Sequence, residues 1–463
     1  MQQDIPDWLE QHRCSEAERL DIDSLIWRID SGPCDALVAD VRVVRSLVVE
    51  HPAGLIQLLA PLDGLVDLEQ LGRSLGQRLR VRIPTQLEET FSVCAVPGTQ
   101  AAPVILEETL GNARRIALAT GDGGYYLLEQ QDLSRLIGRA NPLPVAWKAF
   151  CQPLPESAEV QEANPSRQQI HASLSRFTEL RVQQRLDETL HIPPLPEAAR
   201  RIVALESDPD HDLADLTAII ETDASLAARI MGWANSAYYG LSTQVSSLDE
   251  AIMRVLGFEK VKGLALGLAL SGQLNLPAAH VRGVSPYWLS SVYSAATMEA
   301  LVGLLPVAER PPAGLAYLAG LLSNFGTLVL GHVFPPHYAR ICMLQESNRH
   351  LPHAYLDQSV LGLTRDVLCA SLLESWQLPE PVTDAVRYQN SLQVPGAHAS
   401  LTHLLQLTHQ LLASRGVGDY PLHWERPGLT EALQLTDSAL YKVLQSIDRS
   451  EQQLDEMAQL ISA

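Results

Sequence analysis

No two cysteines of this chain lie close together in the sequence. Cys14, Cys34, Cys94, Cys151, Cys342 and Cys369 are scattered with no Cys-x-x-Cys spacing, so neither a zinc knuckle nor a dithiol is spelled out, and reduced, partly buried thiols are the expectation. Bilayer-length apolar runs are missing too. The nearest uninterrupted one, Val261 to Leu270, falls well short of the roughly 18 residues a span requires. The start of the chain has no basic block or apolar core of a secretory leader; Asp4, Asp7, Glu10, Glu16, Glu18, Asp21 and Asp23 make it acidic. Basic residues are the scarcer sign, 34 against 54 acidic ones, for a formal charge of -20. That balance disfavours non-specific attraction to nucleic acid or anionic lipid, though a local basic patch can still exist. These absences lead to the expectation of a cytoplasmic protein with no membrane and no DNA partner.

What is present is apolar material for sizeable cores. Hydrophobic residues make up 46% of the 463, and length alone suggests roughly two to three domains. Residues 1–24 read as an N-terminal extension. From 25 to 138, short β-like runs alternate with brief helical ones. Ala36 to Val49 is rich in valine, and Gly54 to Ala60 is an apolar run of strand length. Asp67 precedes Leu68, Leu71 and Leu75 at helical spacing with Gln70 three residues on, which predicts a capped amphipathic helix. Gly121-Asp122-Gly123-Gly124 separates Ile116–Ala119 from Tyr125–Leu128 and predicts a hairpin. A phosphate-cradling loop is the alternative there, but no lysine and following helix accompany it.

Residues 139–189 turn proline-rich, with Pro142, Pro144, Pro153, Pro155 and Pro165, then polar and helical, and predict a linker with a helical lead-in. Residues 190–415 and 416–463 read as helical nearly throughout. Asp212, Asp223 and Ser247 each stand before an apolar stripe as an N-cap, Ser247 with Glu250 as a capping box, and Gly257 ends that third helix. Gly263 and Gly267, four apart in an apolar run, predict close packing of soluble helices.

Several motifs of the helical half carry a family resemblance. Pro193-Pro194-Leu195-Pro196 opens it, Asp223 to Arg229 follows, then Ala234-Asn235-Ser236-Ala237-Tyr238-Tyr239-Gly240, Val245–Leu248 and Ala251-Ile252, and later Gly320-Leu321-Leu322 and Trp376-Gln377-Leu378-Pro379. Together they resemble the HDOD domain, a helical signalling module related to the HD phosphohydrolases. The resemblance implies an all-α, HD-like helical bundle.

It also marks where metal ligands would stand. Where the HD superfamily reads Gly-Leu-Leu-His-Asp, this chain reads Gly320-Leu321-Leu322-Ser323-Asn324. Ser290, Arg365 and the pair Tyr388-Gln389 fall at further positions the resemblance assigns to histidines. A hydroxyl and neutral amides are poor donors for a divalent ion, and a guanidinium is a cation itself. A metal-dependent phosphohydrolase is not expected, and no metal or other cofactor is. His332, His337, His350, His353, His398, His403 and His409 offer no His-x-x-x-His pair to replace the site, since His332 and His337 are separated by Pro335-Pro336.

The N-terminal half carries a second resemblance, in Arg45–Val49, in Asp67–Gly72, and in Cys94-Ala95-Val96-Pro97-Gly98 leading to Pro103. These are similar to the YbaK family of aminoacyl-tRNA deacylases, which implies an α+β domain of mixed α/β content. In that family a lysine stands where Arg45 is placed and a glycine where Cys94 is placed. Arginine keeps the charge but not the compact ammonium geometry, and Cys94 adds a side chain where backbone could approach substrate. Cys94 as a nucleophile is a further option, with no neighbouring histidine identifiable. Candidate deacylase-like residues are Arg45, Cys94, Pro97 and Gly98.

The fold class expected is thus two-domain, and the function a non-catalytic signal-transduction scaffold. Its partners are signalling proteins, met through a loop of Asn235, Ser236, Tyr238, Tyr239 and Gly240; core packing of the two tyrosines is the alternative. A second reading is a trans-editing deacylase recruited by the helical half, with tRNA on a basic face near Arg42, Arg45, Arg78, Arg80 and Arg82. A third is a sensor holding a small anion among Ser290, Ser323, Asn324 and Arg365.

Overall fold

The computed structural model describes residues 19–21, 41–82, 103–119, 124–130, 145–154, 194–205, 212–272, 274, 286–391, 393–396, 398–421, 426 and 428–462. The chain divides into two compact units. The first joins Met1–Ser157 with Ile341–Leu356, and the second joins Ala158–Arg340 with Asp357–Ala463.

The first unit is built on a mixed sheet. Strand β1 spans Arg19–Asp21, β2 Val41–His51, β3 Gly54–Pro61, β4 Gly64–Val66, β5 Arg80–Val81, β6 Val104–Glu107, β7 Arg115–Ala119, β8 Gly124–Glu129, β9 Val145–Lys148 and β10 Cys151–Pro153. The main sheet runs β1-β8-β7-β2-β3-β6-β9, with β5 pairing β2, and a two-stranded sheet joins β10 to β4. The pairings β2–β7, β3–β6 and β6–β9 are parallel, whereas β2–β3 and β7–β8 are antiparallel.

Strand side chains alternate between faces, and here both faces are covered. Val44, Leu59, Val104, Leu106, Leu110 and Ile116 form one core. Val49, Ile56, Leu58, Ala60, Ile105, Phe150 and the helix α1, Leu68–Leu75, form the other. Neighbours in sequence such as Leu58 and Leu59 therefore go to opposite cores. Asp67 caps α1 as its spacing predicts, accepting from the Glu69 and Gln70 amides. The expected hairpin is β7–β8, with Ile116 opposite Leu128.

The expected linker is a correction. Residues 145–148 and 151–153, inside the 139–189 stretch, are strands of the first unit, β9 beside β6 and β10 beside β4. Prolines suggested a connector because short edge strands tolerate them and show little alternation. The first unit also takes in Ile341–Leu356, which no boundary drawn at 190 anticipates.

The second unit is helical. Its helices are α2 Glu197–Leu205, α3 Leu213–Glu221, α4 Ala224–Ala234, α5 Phe258–Ser271, α6 Tyr287–Leu304, α7 Ala313–Leu322 and α8 Phe325–Val333. They continue with α9 Pro335–Ser347, α10 His353–Leu361, α11 Arg365–Ser375, α12 Glu380–Tyr388, α13 Ala399–Ala413, α14 Leu429–Ala432, α15 Asp437–Arg449 and α16 Glu451–Ser462. Residues 341–347 of α9 and 353–356 of α10 count with the first unit.

Asp212 and Asp223 cap α3 and α4 as expected. Ser247 caps Leu248–Glu250, which continues as a π-helix over Ala251–Leu256 and stops at Gly257, φ 84°. The Gly263 and Gly267 spacing serves close packing of α5 on α7. A Cβ at Gly263 would stand 2.8 Å from the Gly314 carbonyl, and one at Gly267 2.4 Å from Leu321 Cδ2. The C-terminal segment is not an appendage, since Leu454, Met457, Ala458 and Ile461 share one core with Leu301, Leu318 and Leu404.

Ala313–Val333 is the one stretch among the described residues long and apolar enough to cross a membrane by length and composition, and 83% of its apolar 18-residue window is buried within the fold. It comprises two helices, α7 and α8, that meet at Ser323 and Asn324.

Candidate functional site

Four of the positions marked as former metal ligands, Ser323, Asn324, Arg365 and Gln389, come together in the second unit, and Arg365 organises them. This residue opens α11 behind the N-cap Thr364 and is 2% exposed. A buried cation needs full compensation, and Asp357, at 0%, supplies it. Arg365 donates from Nε to Asp357 Oδ2 at 2.8 Å and from Nη2 to Oδ1 at 2.8 Å, while its backbone N–H reaches Oδ2 at 3.0 Å. The paired contact is the fork geometry that suits a guanidinium and a carboxylate. Asp419 stands 3.8 Å from Nη1. Burial by itself would depress the Arg365 pKa; the charges of Asp357, Asp419 and Asp366 more than offset it and hold the guanidinium above its ordinary range.

The other marked residues line up behind this pair. Arg365 Nη1 donates to Thr327 Oγ1 at 3.1 Å, and Thr327 donates onward to Asn324 Oδ1 at 2.6 Å. Gln389 Nε2 donates to the Ser323 carbonyl at 3.0 Å and to Asp366 Oδ1 at 2.6 Å. The Ser323 hydroxyl returns to the Gly320 carbonyl at 2.8 Å. Gly326 permits the approach of α8 to α11, because a Cβ there would lie 2.7 Å from the Arg365 carbonyl. Ser290, on α6, is buried with its hydroxyl toward the Pro286 carbonyl at 3.4 Å. Tyr388 is buried and offers its carbonyl to Gln406.

A divalent ion does not fit these residues. The Ser323 hydroxyl, the Asn324 amide oxygen and the Gln389 amide nitrogen are neutral groups that already have partners, and the Asp357 carboxylate faces a guanidinium. Among the described residues no group of three or more His, Cys, Asp or Glu is placed to hold a metal ion. The expected small-anion site fares no better at Arg365, whose fork already faces a carboxylate.

In the first unit Arg45 lies on β2 and is 3% exposed. Its Nη1 donates to the Ser347 carbonyl at 2.7 Å and its Nη2 to Asn348 Oδ1 at 2.6 Å. A guanidinium turned into the protein in this way does not face a ligand, which corrects its expected role toward charged tRNA. Cys94, Pro97 and Gly98 lie outside the described residues. Of the other arginines near it, Arg42 pairs with Asp63.

The expected interaction loop folds onto the helical core. Asn235 clips the loop by accepting from the Val245 N–H at 2.8 Å and donating to its carbonyl at 3.0 Å. Ser236 precedes a single 3-10 turn, Ala237–Tyr239, and Gly240 closes it at φ 59°. Trp233 Nε1 donates to Tyr239 Oη at 3.2 Å, and the two tyrosine rings meet edge to face at 5.1 Å. Lys260 Nζ lies 4.9 Å from the Tyr239 ring and 5.1 Å from that of Tyr317 while bonding Glu299 at 2.7 Å. Burial pushes the Tyr238 hydroxyl up to about 12, with Glu299 adding to it. Both tyrosines are half-buried against the core, so packing is the reading this geometry favours.

Asp357, Thr327, Asp366 and Asn348 carry these contacts and were not legible as site residues. Asp357 left one trace, an acid within the otherwise uncharged helix His-Ala-Tyr-Leu-Asp-Gln-Ser-Val-Leu eight residues before Arg365.

A helical unit of this kind, with its HD-like positions rebuilt around an internal ion pair, has matching relatives. The family model for the HDOD domain matches residues 192–392. The crystal structure of a Marinobacter aquaeolei VT8 protein, whose name assigns it to signal transduction, is 32% identical and covers 92% of this chain and 95% of its own, with a TM-score of 0.80. Residues 192–392 of this chain are an HDOD domain, and the likeness to the Marinobacter protein extends over both units. An uncharacterized protein of Treponema pallidum (strain Nichols) is 25% identical over 201 residues, 43% of this chain and 38% of that relative's length. A structure whose name assigns it to trans-editing for prolyl-tRNA synthetase covers 31% of this chain and 92% of its own at 21% identity, with a TM-score of 0.25, a likeness that carries no argument.

Proposed function

We propose that this chain is a non-catalytic, signalling-associated scaffold whose HDOD unit presents a binding surface instead of a metal centre. The observation that carries the reading is the buried Arg365–Asp357 pair. A fixed guanidinium with its own carboxylate stands among the residues that the family resemblance assigns to metal ligands, so the charge that would draw a divalent ion is met from within. The signalling role rests on the HDOD domain and on the name of the Marinobacter relative; fold alone does not fix function. Signalling proteins are the proposed partners and the cytoplasm the proposed location. The first unit is proposed as a second binding module with a YbaK-like ancestry, and its deacylase reading is weakened by the inward-facing Arg45.

The test is turnover by the purified full chain. It would be offered Mg2+, Mn2+, Fe2+ or Ni2+ with phosphomonoesters, phosphodiesters and cyclic dinucleotides, and separately a panel of correctly and incorrectly charged tRNAs. No hydrolysis above buffer is expected in any arm. Metal-dependent turnover, or loss of one class of aminoacyl ester, would overturn the proposal.

A further inference from the structure

Residues 346–350 reach the first unit's strands at several points, all through polar groups. Asn348 is fully buried, and its side-chain amide does what a neighbouring strand would do. Its Oδ1 accepts from the Val66 N–H at 2.9 Å, and its Nδ2 donates to the Val66 carbonyl at 2.9 Å. Asp67, one residue on, donates its N–H to Phe150, ahead of β10. Successive strand residues point their N–H and C=O groups to alternate sides, so the Val66 pair faces the edge that β10 leaves open. An uncapped edge is a template for further strand pairing, and here an amide side chain closes it.

The neighbouring residues extend the closure. Ser347 donates its hydroxyl to the same Val66 carbonyl at 3.0 Å and offers its own carbonyl to Arg45. Glu346 Oε1 accepts from the Val81 N–H on β5 at 3.1 Å, and His350 Nε2 donates to the Leu62 carbonyl at 2.9 Å. Four side chains within five residues thus meet groups of β2, β4, β5 and the β3–β4 turn. The segment lies more than 260 residues from these partners in sequence.

We propose that Glu346, Ser347, Asn348 and His350 form an internal strap that closes the β4 edge and the Arg45 face, making the first unit a split domain that keeps its fold only while this strap is seated. A ligand for the Arg45 face must then displace the strap. This inference does not depend on the signalling role, since it concerns only contacts within the first unit.

Hydrogen exchange of the full chain tests it, with wild type compared with Asn348→Ala and Asn348→Asp. Asn348→Ala is expected to speed exchange of the Val66 and Val81 amides by about 10- to 100-fold, the consequence of leaving the buried Val66 N–H unmet and loosening the strap. Helix α7 should keep its wild-type protection. Asn348→Asp retains acceptors for Arg45 and the Val66 N–H but loses the donor to the Val66 carbonyl, and should fall between the two. Unchanged exchange at Val66 and Val81 in Asn348→Ala would overturn the strap, and so would an increase spread equally over both units.

Discussion

Arg45 and Arg365 are both buried arginines, one in each unit, and both stand where a family resemblance assigns a different functional residue. They are held differently. Arg365 meets a carboxylate eight residues before it in a two-pronged pair. Arg45 meets a carbonyl and an amide oxygen about 300 residues away. The first arrangement is local and charge-compensated, and it turns a would-be ion site into core. The second stitches a remote segment into a sheet. A buried cation can therefore be held by either route, and the partner's distance in sequence decides whether it stabilises one element or joins two.

The largest effect should come from splitting the charged pair. Asp357→Ala strands the Arg365 guanidinium in a dry interior and is expected to cost the second unit about 3–5 kcal/mol in denaturant unfolding. Replacing both, as Asp357→Leu with Arg365→Met, should recover most of that loss; equal losses in the single and double variants would show that the two do not act as a pair. Next, Arg45→Met should weaken the first unit by about 1–3 kcal/mol through the unmet Ser347 carbonyl and the lost tie to Asn348. Arg45→Lys should not restore it, because one compact ammonium does not reproduce the guanidinium's spread donors.

A packing variant separates the units. Gly320→Ala places a Cβ 2.8 Å from Ala295 backbone and should destabilise the second unit by about 1–3 kcal/mol, whereas Gly303→Ala, with nothing within 4 Å, should be close to neutral. Unfolding followed by probes in each unit checks that the first is unaffected by either.

The smallest effect expected is pH-dependent and confined to the first unit. Burial first, then the Arg45 charge, hold the His350 pKa well below its usual value, with the Leu62 carbonyl opposing. The unfolded chain takes up this proton near pH 6.5, while the native strap refuses it. The associated stability is intact above about pH 6.5 and declines as pH falls below that value toward the depressed native pKa. Melting curves between about pH 7 and 5 should show the decline, and His350→Gln should flatten it.

The elements legible in sequence were those whose cause is local. Asp67, Asp212 and Asp223 cap helices a few residues away, Gly263 and Gly267 mark a helix contact by their spacing, and the β7–β8 pairing follows from two apolar runs on either side of a glycine-rich stretch of sequence. The unread parts depend on distant partners. β9 and β10 are short and proline-flanked, so no alternation announces them. Asn348 sits in a polar stretch that resembles any helix end, and only the sheet it meets gives it meaning. Ser323, Asn324, Arg365 and Gln389 were legible as a group through resemblance, but Asp357, which explains the arginine, was not.

The most direct test of the central claim is binding of Mn2+ to the purified full chain, followed by electron paramagnetic resonance. The account predicts that the free-ion signal rises with added Mn2+ as in buffer, with no stoichiometric site, because the Arg365 guanidinium and Asp357 already satisfy each other. One tightly bound Mn2+ per chain, with a signal that changes in Asp357→Asn, would contradict it.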